Sequence, residues 1–166
     1  DSAIATAKID GAWTSADTTA VLIDGWTTTS TNYIKIYTTA AARHDGKWND
    51  GKYRISMNNP QAGTDYCEIS NKENYVRIDG LQIDAYGNGN YVSPILSSVT
   101  GTGDIRISNS LLRNRGTGDN RVGIDTGTGG TYYIFNNVIY NTSATGTVSA
   151  GFDSYGAYSS YVYSNT

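Results

Sequence analysis

The chain has few of the residues that stabilise or activate many small domains. Its 166 residues include one cysteine, two prolines, one methionine and one histidine. A single cysteine cannot form a disulfide within the chain, and we expect Cys67 to be a small buried hydrophobic residue rather than a reactive thiol. The single histidine, His44, has no serine, cysteine or second histidine near it in sequence, so no catalytic triad can be argued from it.

Long apolar runs and an excess of positive charge are also missing. No apolar run approaches the roughly 18 residues that a membrane-spanning helix needs. The formal net charge is −3, whereas nucleic-acid-binding domains normally carry a basic stripe. The sequence therefore predicts neither a membrane span nor a nucleic-acid partner.

Glycine and tyrosine are abundant instead, with 19 and 14 copies respectively. Together with many threonines, serines and asparagines they indicate a β protein with many turns, because amphipathic helices need more leucine, glutamate, lysine and alanine. The polar, lysine-poor composition favours an extracellular location, on a cell or virion surface. Asn141, Thr142 and Ser143 form an acceptor pattern for N-glycosylation, which arises often by chance.

Two series of apolar pairs recur at steps of 27 to 29 residues. The first series is Cys67/Ile69, Pro94/Leu96, Val122/Ile124 and Ala150/Phe152, and the second is Val76/Ile78, Ile105/Ile107, Tyr132/Ile134 and Tyr161/Tyr163. A fixed period in this range is typical of a solenoid, a propeller or an array. Within each pair the apolar residues are two apart, which predicts short strands with one face inward.

The turns repeat with the strands. Thr100–Gly103 and Thr126–Gly129 bridge equivalent strands, and glycines there can adopt the positive φ of a sharp bend. We also predict an asparagine ladder of Asn109, Asn136 and Asn165, with Gly80 at the matching place in the earlier coil. Stacked asparagines at a corner can bond one another and the bent backbone.

These patterns predict an all-β parallel β-helix of four to five coils of about 28 residues, with no helical cap evident. We expect residues 1–166 to form a single domain. Residues 1–57 would be irregular coils with an excursion at 39–52, the only charged loop of any length, and residues 58–166 would be regular coils. The pattern stops in the middle of a coil.

Three segments of the regular region resemble coils of the right-handed parallel β-helix proteins of the pectate-lyase-like superfamily. They are Tyr75–Ile83, Ile105–Ser110 and Tyr133–Ile139. Residues 23–26, 33–37 and 43–48 are similar to uncharacterised surface, phage and environmental members. The resemblance implies a right-handed coil, but it leaves function open, because this solenoid carries lyases, hydrolases, tailspikes, adhesins and inert fibres.

Enzymes of this fold place Asp, Arg or Lys on outward positions of neighbouring coils, often with Ca²⁺. The outward residues after Ile69, Leu96, Ile124 and Phe152 are Ser70, Ser97, Asp125 and Asp153. Stacking would bring Asp125 and Asp153 about 5 Å apart. Such a pair shares a proton, is hydrated or binds a cation, and it has the spacing of a retaining glycosidase. We predict no cofactor, and calcium is the cation that this pair could bind if it is not simply hydrated.

Arg77 and Arg106 also stack in the predicted coils, beside Asp79, and mutual charge pairing is the favoured interpretation.

The sequence favours a structural function over an enzymatic one: an extracellular or virion-surface module, adhesive or filament-forming, whose open ends stack head to tail. The remainder of a longer chain could equally cover those ends. The alternative is a carbohydrate-active enzyme (a polysaccharide lyase or glycoside hydrolase) or its polysaccharide-binding portion. The tyrosines suit contact with polysaccharide or with protein.

Overall fold

The computed structural model describes residues 3–59, 65–89, 91–117, 120–141, 148–157 and 159–166. These residues form fifteen β-strands and no helix, and none of their segments is a helix that could span a membrane. The strands are β1 (Ala5–Ile9), β2 (Val21–Ile23), β3 (Ile34–Thr38), β4 (Ile55–Asn59), β5 (Asp65–Asn71), β6 (Tyr75–Asp79), β7 (Gln82–Gly87), β8 (Tyr91–Ser97), β9 (Asp104–Ser108), β10 (Leu111–Gly116), β11 (Asn120–Thr126), β12 (Thr131–Phe135), β13 (Val138–Asn141), β14 (Val148–Ser154) and β15 (Ser159–Tyr163).

The strands form three parallel sheets that share one winding chain. The six-stranded sheet has the order β1-β3-β6-β9-β12-β15, the four-stranded sheet β4-β7-β10-β13, and the five-stranded sheet β2-β5-β8-β11-β14. From β4 onward the chain visits the four-, five- and six-stranded sheets in turn, so each coil stacks on the one before. The result is a β-solenoid of about five turns with about 29 residues per turn, which confirms the predicted fold class.

The core consists of inward columns in which one coil's side chain stands over the next. In the six-stranded sheet Ile36, Ile78, Ile107 and Ile134 are register neighbours, and each is at most 8% exposed. Burying each isoleucine contributes roughly 1.5–3 kcal/mol. This repeated burial explains why an otherwise polar sequence keeps its apolar residues in a strict period.

The predicted inward register is wrong by one residue in β8. Ile95, not Leu96, pairs with Ile69 and Ile124, and Ile95 is fully buried while Leu96 is partly exposed. Pro94, Ile95 and Leu96 are three consecutive apolar residues, so the period of two fits two registers equally well. Leu96 rather than Ser97 is therefore the outward neighbour of Asp125.

A second register error affects the last strand. Val162 pairs with Ile134, so Tyr161 and Tyr163, predicted to point inward, lie in the outward columns with Tyr133 and Phe135. The pattern Tyr-Val-Tyr is apolar throughout and gave no alternation to decide between the faces. A step of 29 residues from Tyr132 and Ile134 predicted the tyrosines as inward residues, but the step in the structure is 28 and the β-branched valine continues the isoleucine column.

The N-terminal region is less regular, as expected. A single parallel bridge from Asp17 to Ile55 stands where a strand of the four-stranded sheet would lie, and Trp13 packs edge-on against Tyr53 at 4.8 Å. The excursion at residues 39–52 connects β3 to β4. At the other end, Thr166 lies beside β13: its backbone N–H donates to the Asn137 carbonyl and its carbonyl accepts from the Ile139 N–H.

Candidate functional site

One corner of the solenoid has the same left-handed backbone conformation in four successive coils. Gly80, Asn109, Asn136 and Ser164 have φ of 79°, 52°, 56° and 54°. Asparagine tolerates this region better than most residues, which explains Asn109 and Asn136. The corner connects the six-stranded sheet to the four-stranded sheet.

The polar ladder lies one residue further along than predicted. Asn137 Nδ2 donates to Asn165 Oδ1 at 3.0 Å, and Asn137 Oδ1 accepts from the Ser110 backbone N–H at 3.0 Å. Ser110 Oγ in turn accepts from the Leu81 N–H. Asn165 therefore stacks with Asn137 and Ser110, while the predicted members Gly80, Asn109 and Asn136 form the row of left-handed residues. The misplacement of Asn165 beside Asn136 follows from the register error in β15, because Val162 rather than Tyr163 pairs with Ile134.

Asp125 and Asp153 are direct register neighbours in β11 and β14. Asp153 is exposed and Asp125 is partly exposed. On the other side of Asp125 the outward column continues with Leu96 and Ser70 rather than with a third acid or a base. Among the described residues no group of three or more His, Cys, Asp and Glu could hold a metal ion. A role for this pair in cation binding or catalysis stays a prediction.

The outward face of the six-stranded sheet carries a ladder of cations and rings. Arg106 lies 5.3 Å from the Tyr133 ring, Tyr133 stacks on Tyr161 at 5.0 Å, and Phe135 stacks on Tyr163 at 5.2 Å. The stacked rings are within 8° of parallel. Tyr161 and Tyr163 lie on β15, the last strand of this sheet, and among the described residues no second ring stacks on either of them.

The arginines on this face pair differently from the prediction. Arg106 makes a bidentate pair with Asp104, with both N–O distances at 2.7 Å. The Arg77 guanidinium lies 3.7 Å from the Tyr33 ring, and Asp79 is bonded by Arg43 from the loop at 39–52. Burial alone would raise the pKa of Asp79, but hydrogen bonds from Asn109, Arg43 and Ser108 outweigh it and lower that pKa.

The charged loop is fixed to the solenoid by side chains from both ends. His44 Nε2 donates to the Asn109 carbonyl at 2.9 Å, and His44 Nδ1 accepts from the Gly46 N–H at 3.1 Å. Further along, the Asn49 backbone N–H donates to Gln82 Oε1 at 2.7 Å. This loop therefore covers part of the outward face of the four-stranded sheet.

A polar cluster that was not predicted from the sequence lies beside this loop, where the Trp48 ring stacks on Arg113. Asp84 on β7 is 1% exposed and accepts hydrogen bonds from Arg113 and Arg115 on β10 and from Ser56 on β4. Burial would raise the pKa of Asp84, but the bonds from Arg115 and Arg113 lower it. Asp84 and Arg113 are 29 residues apart, which is one period, and that spacing was the available signal.

A shallow groove of about 510 Å³, largely open to solvent, lies beside this cluster. It is lined by Asn58, Tyr86, Gly87, Asn88, Arg115 and Thr117. Register places Asn58, Tyr86 and Arg115 in one outward column of three adjacent strands.

The two end surfaces of the solenoid, which we call the rims, expose apolar side chains. At the β1 rim Ile4 is 48% and Trp26 is 59% exposed, and a hollow of about 230 Å³ is lined by residues that include Ala5, Trp26 and Ile34. At the β15 rim Val162 is 46% exposed although the column it continues is buried. All five residues of β15 are exposed.

No family model, no curated protein and no solved structure matches this chain. The structure supports the parallel β-helix class, and the pectate-lyase-like assignment stays a prediction. Thr142 and Ser143 of the glycosylation pattern lie outside the described residues.

Proposed function

We propose that the chain is a structural β-solenoid module, extracellular or on a virion surface, that assembles by stacking one rim on the opposite rim of a second copy. The composition of the surface supports the location, and the exposed edge of β15 carries the proposal of stacking. β15 is an edge strand of the six-stranded sheet, and an exposed edge strand is a template for another strand. A second copy is the proposed occupant, and a following segment of a longer chain is the other outcome.

The apolar surface of the β15 rim supports this proposal. Val162 occupies an inward column whose members Ile78, Ile107 and Ile134 are at most 1% exposed. Covering its remaining surface would gain about 25 cal/mol for each Å² removed from water. A strand added to β15 would complete the column in the same way as each coil covers the one before.

The opposite edge of the same sheet is β1, which supports a head-to-tail arrangement. Continuing the sheet in parallel would place Ala7 of the next copy over Val162 and Lys8 over Tyr163, because Ala7 and Lys8 hold those columns at the β1 edge. Lys8 would then cover the uncovered face of the Tyr163 ring. Arg106 and Tyr133 show the same cation–ring arrangement between neighbouring strands within the chain.

The proposed contact is confined mainly to the six-stranded sheet. At its end of the solenoid β1 projects one coil further than β2 and the Asp17 bridge, which are the outermost elements of the other two sheets. β1 would therefore be the first element to contact the next copy. A contact of this kind repeats without closing into a ring and generates an open filament. Because one strand pair carries most of it, we expect assembly to depend on concentration.

Sedimentation velocity over a range of concentrations, with electron microscopy of the same samples, tests the proposal. We expect wild-type protein to form a series of end-to-end oligomers. Val162→Lys should stay monomeric, because it places a charge in the column that a second copy would bury. Ser98→Lys is the matched control, since Ser98 is exposed in a turn in the middle of the stack. Monomeric wild-type protein at high concentration would contradict the proposal.

The register of Asp125 and Asp153 favours a second candidate, a cation-dependent carbohydrate-active protein. Two carboxylates one strand spacing apart would gain from a shared cation. If they act in this way, calcium should raise the melting temperature of wild-type protein and not that of Asp125→Asn, and any polysaccharide cleavage should be lost in that variant. Equal responses of the two proteins to calcium would remove this candidate.

A further inference from the structure

The outward face of the four-stranded sheet holds two arginines in a fixed orientation. Arg113 and Arg115 are two residues apart on β10, so both point outward. Each guanidinium donates hydrogen bonds to both carboxylate oxygens of Asp84. The Arg113 distances are 2.8 and 2.9 Å, and the Arg115 distances are 2.9 and 2.6 Å. Ser56 Oγ adds a hydrogen bond to Asp84 Oδ2 at 3.0 Å.

The negative and positive groups of this cluster differ in their exposure to solvent. The Asp84 side chain is 1% exposed, while the side chains of Arg113 and Arg115 are 23% and 43% exposed. The buried carboxylate offsets one of the two positive charges, and the net charge that faces solvent is positive. This is a local positive site on a chain whose net charge is −3.

Aromatic rings restrict the two guanidinium groups further. Arg113 lies 4.0 Å from the centre of the Trp48 ring, and Arg115 lies 4.9 Å from the centre of the Tyr86 ring. A guanidinium held by a carboxylate and a ring has already lost much of its rotational freedom. A ligand that binds there avoids most of that entropic cost.

The bonds to Asp84 use Nε and Nη2 of Arg115, which leaves its Nη1 amino group without a hydrogen bond among the described residues. Arg115 lines the groove together with the amides of Asn58 and Asn88. We propose that this groove binds an oxyanion, a carboxylate, sulfate or phosphate group, through the Arg115 guanidinium with Asn58 and Asn88 as further donors. Charge-assisted hydrogen bonds from arginine suit all three groups. This site is independent of the stacking proposed above.

Isothermal titration calorimetry with sodium sulfate, sodium phosphate and sodium acetate, at constant ionic strength, tests the site. We expect saturable binding of at least one salt to wild-type protein, and the three salts distinguish a tetrahedral from a planar oxyanion. Arg115→Met should weaken binding about tenfold, which corresponds to about 1.4 kcal/mol. Arg106→Met is the matched control. Arg106 is 44% exposed and makes a bidentate pair with Asp104, as Arg115 does with Asp84, but both residues lie on β9, in a different sheet from the groove. The control variant should bind like wild type.

Circular dichroism establishes whether each variant is folded. Asn88→Ala removes an exposed amide of the groove without touching the Asp84 cluster, and it should weaken binding about threefold even if Arg115→Met fails to fold. The proposal is overturned if wild-type protein binds none of the three salts saturably. It is also overturned if folded Arg115→Met, or Asn88→Ala where Arg115→Met is unfolded, binds with wild-type affinity.

Discussion

At the scale of single residues, Asp84 has the most demanding environment among the charged groups described above. Its carboxylate is buried, and its pKa is lowered although burial acts in the opposite direction. We expect Asp84→Asn to destabilise the fold by about 3–5 kcal/mol, because two arginines lose the charge that pairs them. Urea unfolding followed by circular dichroism measures the change.

Asp104→Asn is the control for Asp84, because it breaks the bidentate pair with Arg106 nearer the surface. We expect a loss of less than about 1 kcal/mol for that variant. Equal losses for the two variants would mean that burial of Asp84 has no special importance.

We expect His44 to make the loop at 39–52 sensitive to acid. Burial lowers the pKa of His44, and the positive charge of Arg43 acts in the same direction, against the hydrogen bond to Asn109 and the charges of Asp45 and Asp79. The folded state therefore favours the neutral imidazole. The contribution of His44 to the free energy of unfolding is fully present above about pH 6.5, the ordinary pKa of histidine, and is lost as the pH falls through the lowered pKa.

Melting temperatures measured between about pH 7.5 and about pH 5.5 test this effect of His44. The wild type should lose more stability over that range than His44→Gln, whose side chain does not titrate. A pH dependence that is the same in both proteins would exclude His44 as its cause.

At the scale of elements, two adjacent asparagines in the repeated corner have different roles: Asn136 adopts the left-handed backbone conformation and Asn137 makes the buried hydrogen bonds. Asn136 is exposed with φ of 56°, whereas Asn137 is 1% exposed and bonded to Ile107, Ser110 and Asn165. Asn136→Gly should be neutral or slightly stabilising, and Asn136→Ala should cost about 1 kcal/mol. Asn137→Ala should cost about 2–3 kcal/mol, because it leaves buried backbone groups without partners. Thermal unfolding of the three variants gives the order, and a larger loss for Asn136→Ala than for Asn137→Ala would contradict it.

The proposed stacking sets β1 of one copy against β15 of the next with Lys8 over Tyr163, and this register can be tested. Lys8→Glu should weaken end-to-end association at least about twofold to fivefold, because it removes the cation from the Tyr163 ring of the neighbouring copy. Adding Tyr163→Lys should restore association through an ion pair of opposite sign. Lys35→Glu, a charge reversal on β3 inside the sheet, is the control. Sedimentation equilibrium measures the constants, and no rescue by the double variant would contradict this register.

Particular elements show how far the sequence could determine the fold. The strands around Ile78 and Ile107 could be placed because an arginine separates their apolar residues, and the strand around Ile134 could be placed because it follows Ile107 by 27 residues, close to one period. The period of two failed in β8 and β15, where three consecutive apolar residues allow two registers. The Asp84 cluster was missed because the third strand of each coil could not be registered from its continuous apolar pairs, such as Leu111 and Leu112. Only register brings Asp84 beside Arg113.

At the scale of the whole molecule, the solenoid is close to a one-dimensional stack in which each coil contacts only its neighbours. Stability in such a stack is a sum of coil and interface contributions, and an uncovered terminal coil lacks one interface. The β15 rim, with Val162, Tyr161 and Tyr163 each about half exposed, is such a coil. Stacking of a second copy would supply the missing interface, and the same surface chemistry would repeat along a filament.

Disulfide cross-linking tests rim-to-rim stacking most directly. In a Cys67→Ser background, Thr6→Cys with Tyr161→Cys places cysteines in one outward column at opposite edges of the six-stranded sheet. They lie far too far apart to bond within a chain, but stacking would bring them to one strand spacing, within disulfide reach. Lys35→Cys with Tyr161→Cys, one strand further in, is the control. We expect oxidation to give a ladder of covalent multimers for the first pair and monomers for the second, and monomers for both pairs would contradict rim-to-rim stacking.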